Sequence, residues 1–243
     1  MFERRSTQLE QIDDPQFDER FALESYGFMA MVNRYAGGAR VVKRFIERMS
    51  IARPGGILRI LDIGSGICDI PIVISRMAAA RHISVQFTCI EPSGHAVRLA
   101  RERIARAGIT DVHVLQEDIF KHQPAEPYDC ATASMCFHHF TDEQILAVIR
   151  RIRPHIRMSV LINDLRRSRE AWLATNLLTL FAPAVVRNDA LLSIRRGFKI
   201  NELRSLLQQL DDCNVSTTPA LFFRVAAVVT FGKGTNPGVA PVS

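Results

Sequence analysis

The segment Leu58–Pro71, LRILDIGSGICDIP, constrains this chain more than any other. A short run of branched apolar residues, ILRILDIG, breaks at Gly64-Ser65-Gly66, and a helical stretch, DIPIVISRMAAARH, follows. Pro71 is tolerated near the start of that helix, where its missing N–H costs little. The alternation then recurs. ISVQFTCIEP reads as a strand, SGHAVRLARERIARAG as a helix ended by Gly108, and VHVLQEDIF and YDCATASMCF as two further strands. DEQILAVIRRIRPH is a helix and MSVLINDL a fifth strand. Strands alternating with helices imply an α/β fold, a doubly wound Rossmann-like sheet with helices on both faces. Ligands of such sheets bind outside the carboxyl ends of the strands.

The flanking regions break this rhythm. FALESYGFMAMVNRYAGGARVVKRFIERMSI reads as two helices separated at Gly37-Gly38, giving a helical N-terminal cap over residues 1–52 and a main domain over 53–233. After Leu165, AWLATNLLTLFAPAVVRNDALLSIRRGF is apolar and split by Pro183, an inserted helical pair within about 166–198. KINELRSLLQQL is an amphipathic helix, and NVSTTPALFFRVAAVVTFGK predicts two strands around a turn at Thr217–Ala220, the last antiparallel. The tail, residues 234–243, is expected to be disordered.

The glycine loop decides among ligands. A Walker loop needs a lysine after its glycines, and none follows here. A dinucleotide fingerprint needs a third glycine where Asp69 stands, and a carboxylate there would face the pyrophosphate. A cationic ligand without phosphate fits better: glycines allow close backbone approach, and Asp62 and Asp69 offer acceptors to a positive end. A plain turn joining strand to helix is the competing reading. Glu91 ends the second strand where such folds hold ribose hydroxyls. Asp118 ends the third, positioned to accept from an adenine amino group with Ile119 packing the ring.

Together ILRILDIGSGICDIPI, CIEPS, QEDIF and YDCATASMCFHHF resemble class I S-adenosylmethionine-dependent methyltransferases, over about Arg53–Leu165. The resemblance implies a seven-stranded sheet with an antiparallel last strand and S-adenosylmethionine as cofactor. It implies that Asp62, Gly64, Ser65 and Gly66 line the methionine moiety, that Glu91 and Pro92 hold the ribose, and that Asp118 and Ile119 take the adenine. Ser134 would sit beside the methionine and the substrate. INDLRRS, the apolar insert and RRGF resemble bacterial small-molecule enzymes of the quinone or polyketide type. The acceptor implied is small, apolar and aromatic, with O-methylation favoured over C-methylation of a quinone-like ring.

Ser134-Met135-Cys136-Phe137 stands where enzymes of this fold acting on amides or nucleobases carry an Asn/Asp-Pro-Pro-aromatic motif. Cys136 also lacks the preceding proline of a cytosine C5 nucleophile and reads as a buried thiol. His138 and His139 are candidates to deprotonate a phenol or enol, or else scaffold residues. Asn163 and Asp164, at the end of strand five, are a second candidate pair, with Asp164 equally able to cap the next helix. Arg34 is placed to reach the cofactor carboxylate or to be solvated. The insert, with Leu177, Leu178, Leu180, Phe181, Val185 and Val186, is a lid, a dimer face or a membrane-surface contact. Arg195 and Arg196 are read as surface residues able to orient an acidic acceptor.

The formal charge of +6 comes mostly from arginines spread along helices, without the aromatic interleaving of a single-strand groove. This favours solvated helix faces over nucleic acid, leaving RNA or protein methylation and a catalytically silent cofactor-binding scaffold as alternatives. Five scattered cysteines without paired spacing predict reduced thiols rather than disulfides or zinc, with no metal site. A charged N-terminus and the absence of long apolar runs predict a cytoplasmic protein without a transmembrane segment, able to form a homodimer.

Overall fold

The computed structural model describes residues 2–13, 19–35 and 37–232. The cap helices are α1 (Glu19–Tyr35) and α2 (Gly38–Ala52). The core continues as β1 (Leu58–Ile63), α3 (Asp69–Ala80), β2 (Val85–Glu91), α4 (Gly94–Ala107), β3 (Val112–Gln116), β4 (Tyr128–Ser134), α5 (Asp142–Ile152) and β5 (Ile156–Leu165). The insert forms α6 (Arg169–Leu178) and α7 (Ala184–Arg196), followed by α8 (Ile200–Leu207), β6 (Cys213–Ala220) and β7 (Arg224–Phe231).

The seven strands order as β3-β2-β1-β4-β5-β7-β6. The first five are parallel, and β7 runs antiparallel to both β5 and β6. The order reverses between β1 and β4, so the crevice of a doubly wound sheet opens there. Both faces of β1 are apolar, as a strand covered on two sides requires. Leu58 and Ile60 pack with α2, α3 and α4, while Leu61 and Ile63 pack with α5 and α8. Thr141 and Gln144 close a capping box at the start of α5, and Gly108 ends α4 in the left-handed conformation.

Three features depart from the sequence reading. The C-terminal hairpin turns at Leu221–Phe223, with Phe222 and Phe223 at positive φ, rather than at Thr217–Ala220. Pro219 misleads there because β6 is an edge strand, where a missing N–H is harmless. Residues 2–10 are not helical, and they cross the helical insert as an irregular strap. Arg167 Nε donates to Phe2 O at 3.1 Å, Ser6 N to Arg195 O at 3.0 Å, and Arg196 Nη1 to Gln8 O at 2.6 Å. Arg196 is therefore buried, not a surface residue. The tail at 234–243 lies outside the described residues. No described helix is long and apolar enough to cross a membrane.

Candidate active site

A cleft of about 810 Å³ opens at the carboxyl ends of β1, β2 and β4. Its floor is the loop Gly64-Ser65-Gly66. Gly64 has φ +63°, and a Cβ there would collide with Cys136 Sγ and lie 2.8 Å from Cys136 Cβ. The strand-to-helix turn thus closes only without a side chain. Gly66 also has positive φ, but its Cβ position meets only Tyr26, at 4.0 Å, so this backbone is open to a ligand.

Carboxylates surround the loop. Glu91 ends β2 and accepts from Gly66 N and Ser93 N, both at 2.9 Å, which staples the loop to the strand. Burial raises its pKa against those bonds. Asp62 is buried beneath the floor and accepts from Thr132 Oγ1. Burial first, and then the neighbouring Asp69 and Glu91 charges, push it up to about 7. Asp69 accepts from Asn33 Nδ2 at 3.0 Å, and burial raises it too. Asp118 ties its own turn, accepting from Phe120 N at 2.9 Å, with Ile119 buried beside it. Desolvation penalises negative charge at Asp62, Asp69 and Glu91, and a cation placed in the cleft is attracted by all of them.

A second, apolar cavity of about 180 Å³ adjoins the cleft, sharing Ile12, Met29 and Met135 with it. Leu178, Val186 and Ile194 of the insert line it, as do Phe28 and Val32 of α1. His138 forms part of its wall and is almost wholly buried. Its Nδ1 lies 2.6 Å from Asp164 Oδ1, and its Nε2 lies 3.6 Å from Glu10 Oε1. Asp164 also accepts from Leu165 N at 2.7 Å. Burial raises Asp164, but His138 and that N–H outweigh it and hold the carboxyl below the usual range.

His139 lies on the cleft side, with Nδ1 2.9 Å from Asp13 Oδ1 on the strap. Burial opposes its charge, yet the Asp13 bond and the Glu10 and Asp13 charges raise it above the ordinary imidazole value. The ligand atoms of Glu10, His138 and His139 fall within 4.8 Å of one another. Arg196 stands 3.8 Å from Glu10 Oε1 and 3.6 Å from Asp13 Oδ2, so positive charge already faces this cluster. That charge favours proton chemistry over a bound cation.

The structure gathers Gly64, Ser65, Gly66, Glu91, Pro92, Asp118, Ile119, Ser134 and His139 around the cleft. Asp62 supports it from below and His138 belongs to the second cavity. Arg34 is not brought in: it is exposed at the end of α1, its guanidinium 5.4 Å from the Tyr35 ring centroid. Asn33 takes that place. Ala22, Tyr26, Met29 and Asn33 line the cleft at helical spacing, and Arg34 lies one residue, about 100° of helix, beyond that face. Cys136 is buried against Gly64 with its thiol pKa raised by burial, which keeps it neutral. Glu10, Asp13 and Arg224 were not anticipated. Only Arg224 left a signal, a lone charge inside the apolar run FFRVAAVV.

Residues 60–158 match a family model described as a methyltransferase domain. No curated protein sequence gives a significant match. Among solved structures, the plantazolicin methyltransferase BpumL bound to S-adenosylhomocysteine superposes with a TM-score of 0.70 at 15% identity, covering 92% of this chain and 93% of that one. A putative O-methyltransferase from Nostoc punctiforme PCC 73102 gives 0.63 at 16% identity, covering 93% and 64%. Magnesium protoporphyrin IX methyltransferase from Synechocystis PCC 6803, bound to S-adenosylmethionine, gives 0.57 at 12%, covering 93% and 100%. At these identities the likeness is one of fold.

Proposed function

We propose that this chain, whose residues 60–158 match a methyltransferase domain, is a class I, S-adenosylmethionine-dependent enzyme that methylates a small, largely apolar aromatic acceptor at oxygen. The observation that carries this reading is the buried His138–Asp164 pair in the wall of an apolar cavity that opens into the cofactor cleft. The cleft residues fit the cofactor: an open backbone at Gly66, Glu91 for ribose hydroxyls, and an excess of carboxylates for a ligand with ammonium and sulfonium charges. The cofactor supplies a methyl group activated for in-line displacement.

The chain's own residues then do three things. The cleft and the cavity hold the two reactants in line across Met135, and alignment of this kind is worth about 7–11 kcal/mol in favourable models. The insert and the strap exclude water from the cavity. His138 takes the acceptor proton. Asp164 demands a proton on Nδ1, which leaves the Nε2 lone pair on the side of Glu10, itself a lining residue of the cavity. The Asp164 charge stabilises the imidazolium that forms. Asp164 and Glu10 are positioning residues in this scheme, and His139 anchors the strap through Asp13.

Two experiments test the reading. Calorimetry with S-adenosylhomocysteine should show binding that weakens in Asp62→Ala and Glu91→Ala; no binding by the wild type would remove the cofactor premise. Incubation with S-adenosylmethionine and a panel of phenols, hydroquinones and aromatic polyketides should give a mono-methylated product. Carbon NMR of a labelled methyl group then separates an O-methyl from a C-methyl product, and the latter would replace oxygen by ring carbon.

A further inference from the structure

Arg224 is the first residue of β7, where an antiparallel strand begins at the edge at which the parallel strands end. It is fully buried, among the largest side chains without solvent exposure. Its Nη2 donates to Asn33 Oδ1 at 2.8 Å and contacts Met135 Sδ at 3.0 Å. Its Nε and Nη1 are buried and have no partner among the described residues. A guanidinium taken from water without a paired carboxylate is costly. Burial lowers its pKa to about 10, against the more distant Asp164 and Asp69 charges, and it stays charged at neutral pH. Leucine or methionine would fill this place with less cost.

The same side chain lines the apolar cavity, beside Phe28, Val32, Leu165 and Phe223. Asn33 and Met135 stand between it and the cofactor cleft, in which Arg224 takes no part. We propose that Arg224 anchors a carboxylate of the acceptor, so that this site takes compact aromatic acids in preference to neutral phenols. A guanidinium with unused N–H donors offers a carboxylate charge-assisted hydrogen bonds. Nη2 is held by Asn33 and Met135, and Nε and Nη1 lie on different edges of the plane, so each donor is met singly. The cavity of about 180 Å³ lies below the range of about 300–1,000 Å³ common for drug-sized ligands, which favours a single substituted ring. The proposal rests on the methyl-transfer reading above. A carboxylate at Arg224 has a second source, the cofactor's own, and the test separates the two.

The experiment uses the full chain saturated with S-adenosylhomocysteine. Calorimetric titration compares 4-hydroxybenzoate, salicylate and 3,4-dihydroxybenzoate with their amides. At least one acid should bind wild type tenfold or more tighter than its amide, and in Arg224→Gln that ratio should fall to about one. Arg224→Lys should keep part of the preference, since the charge remains on a group with a different reach and fewer fixed donor directions. Affinity for S-adenosylhomocysteine should stay within twofold in both variants. Arg224→Met, which removes an uncompensated buried charge, should leave the unfolding temperature of the unliganded protein equal or higher. Equal responses to every acid and amide, including none, would overturn the proposal, as would an unchanged ratio in Arg224→Gln. A tenfold loss of S-adenosylhomocysteine affinity would reassign Arg224 to the cofactor, and a drop in unfolding temperature in Arg224→Met would make it structural. Failure of the methyl-transfer premise reads separately, as no S-adenosylhomocysteine binding by wild type.

Discussion

The cofactor cleft and the adjoining apolar cavity strand charge of opposite sign. In the cleft, Asp62, Asp69 and Glu91 are carboxylates whose ionisation burial opposes. Around the cavity, Asp164 is held by His138, Glu10 faces His138 and Arg196, and Asp189 accepts from Gln11 N and Ile12 N. The cation left with unpartnered donors is the Arg224 guanidinium. Each compartment carries the charge that its proposed ligand would neutralise. Met135 and Asn33 keep the two charges apart and tie the compartments together.

The comparison can be broken first at the loop. Gly64→Ala puts a side chain into Cys136 and forces left-handed backbone on alanine, a conformation worth roughly 1–3 kcal/mol by itself. It should destabilise the protein by several kcal/mol in chemical denaturation, and Cys136→Gly should recover the steric part alone. Next, His138→Gln should cut turnover about 10²–10⁴-fold with S-adenosylhomocysteine affinity within twofold, since the base belongs to the cavity. A comparable loss of cofactor affinity would erase the distinction between the compartments.

Asp62→Asn sharpens the comparison through stability. The folded-state pKa of Asp62 lies above its unfolded value, so its contribution is fully present below 3.8 and lost as pH rises through about 7. The distance between those values, at about 1.4 kcal/mol per pH unit, sets a ceiling of roughly 4 kcal/mol on the loss. At pH 8 the unliganded Asp62→Asn protein should therefore melt above wild type, and at pH 4 the difference should vanish. The smallest effect belongs to Asp13 and His139. The aspartate is lowered from 3.8, because the His139 bond and charge outweigh burial. Its contribution holds above 3.8 and falls as pH drops through the lowered value. That of His139, raised from 6.5, is complete below 6.5 and lost as pH climbs through the raised value. Proteolysis of the strap should accelerate above that upper limit, and Asp13→Asn should flatten the profile.

Residues near each other in sequence made the cleft legible. Gly64, Glu91 and Asp118 each follow an apolar run, and the α/β alternation alone puts all three on one sheet edge. The cavity was legible only as composition. Leu178 and Val186 do line it, while Phe181 is almost wholly exposed, because the apolar spacing of the insert does not say which face turns inward. Arg34 was chosen where Asn33 serves, an error of one helical step. Glu10 and Arg196 gave no local pattern, since their roles exist only through contacts across nearly the whole chain.

Those contacts order the assembly of the site in time. Arg5 reaches the Arg196 carbonyl across 191 residues, Gln8 meets Arg196 across 188, and Glu10 meets Ser193 across 183. The strap precedes the core in the chain and finds its partners last. Closing so long a loop costs chain entropy that only finished packing returns, so the sheet should form with the strap still searching. Its release is likewise a local event, which would open the roof above His138 and His139 while the core strands stay protected from hydrogen exchange. The last step of folding and the first step of ligand entry would then be the same motion run in opposite directions.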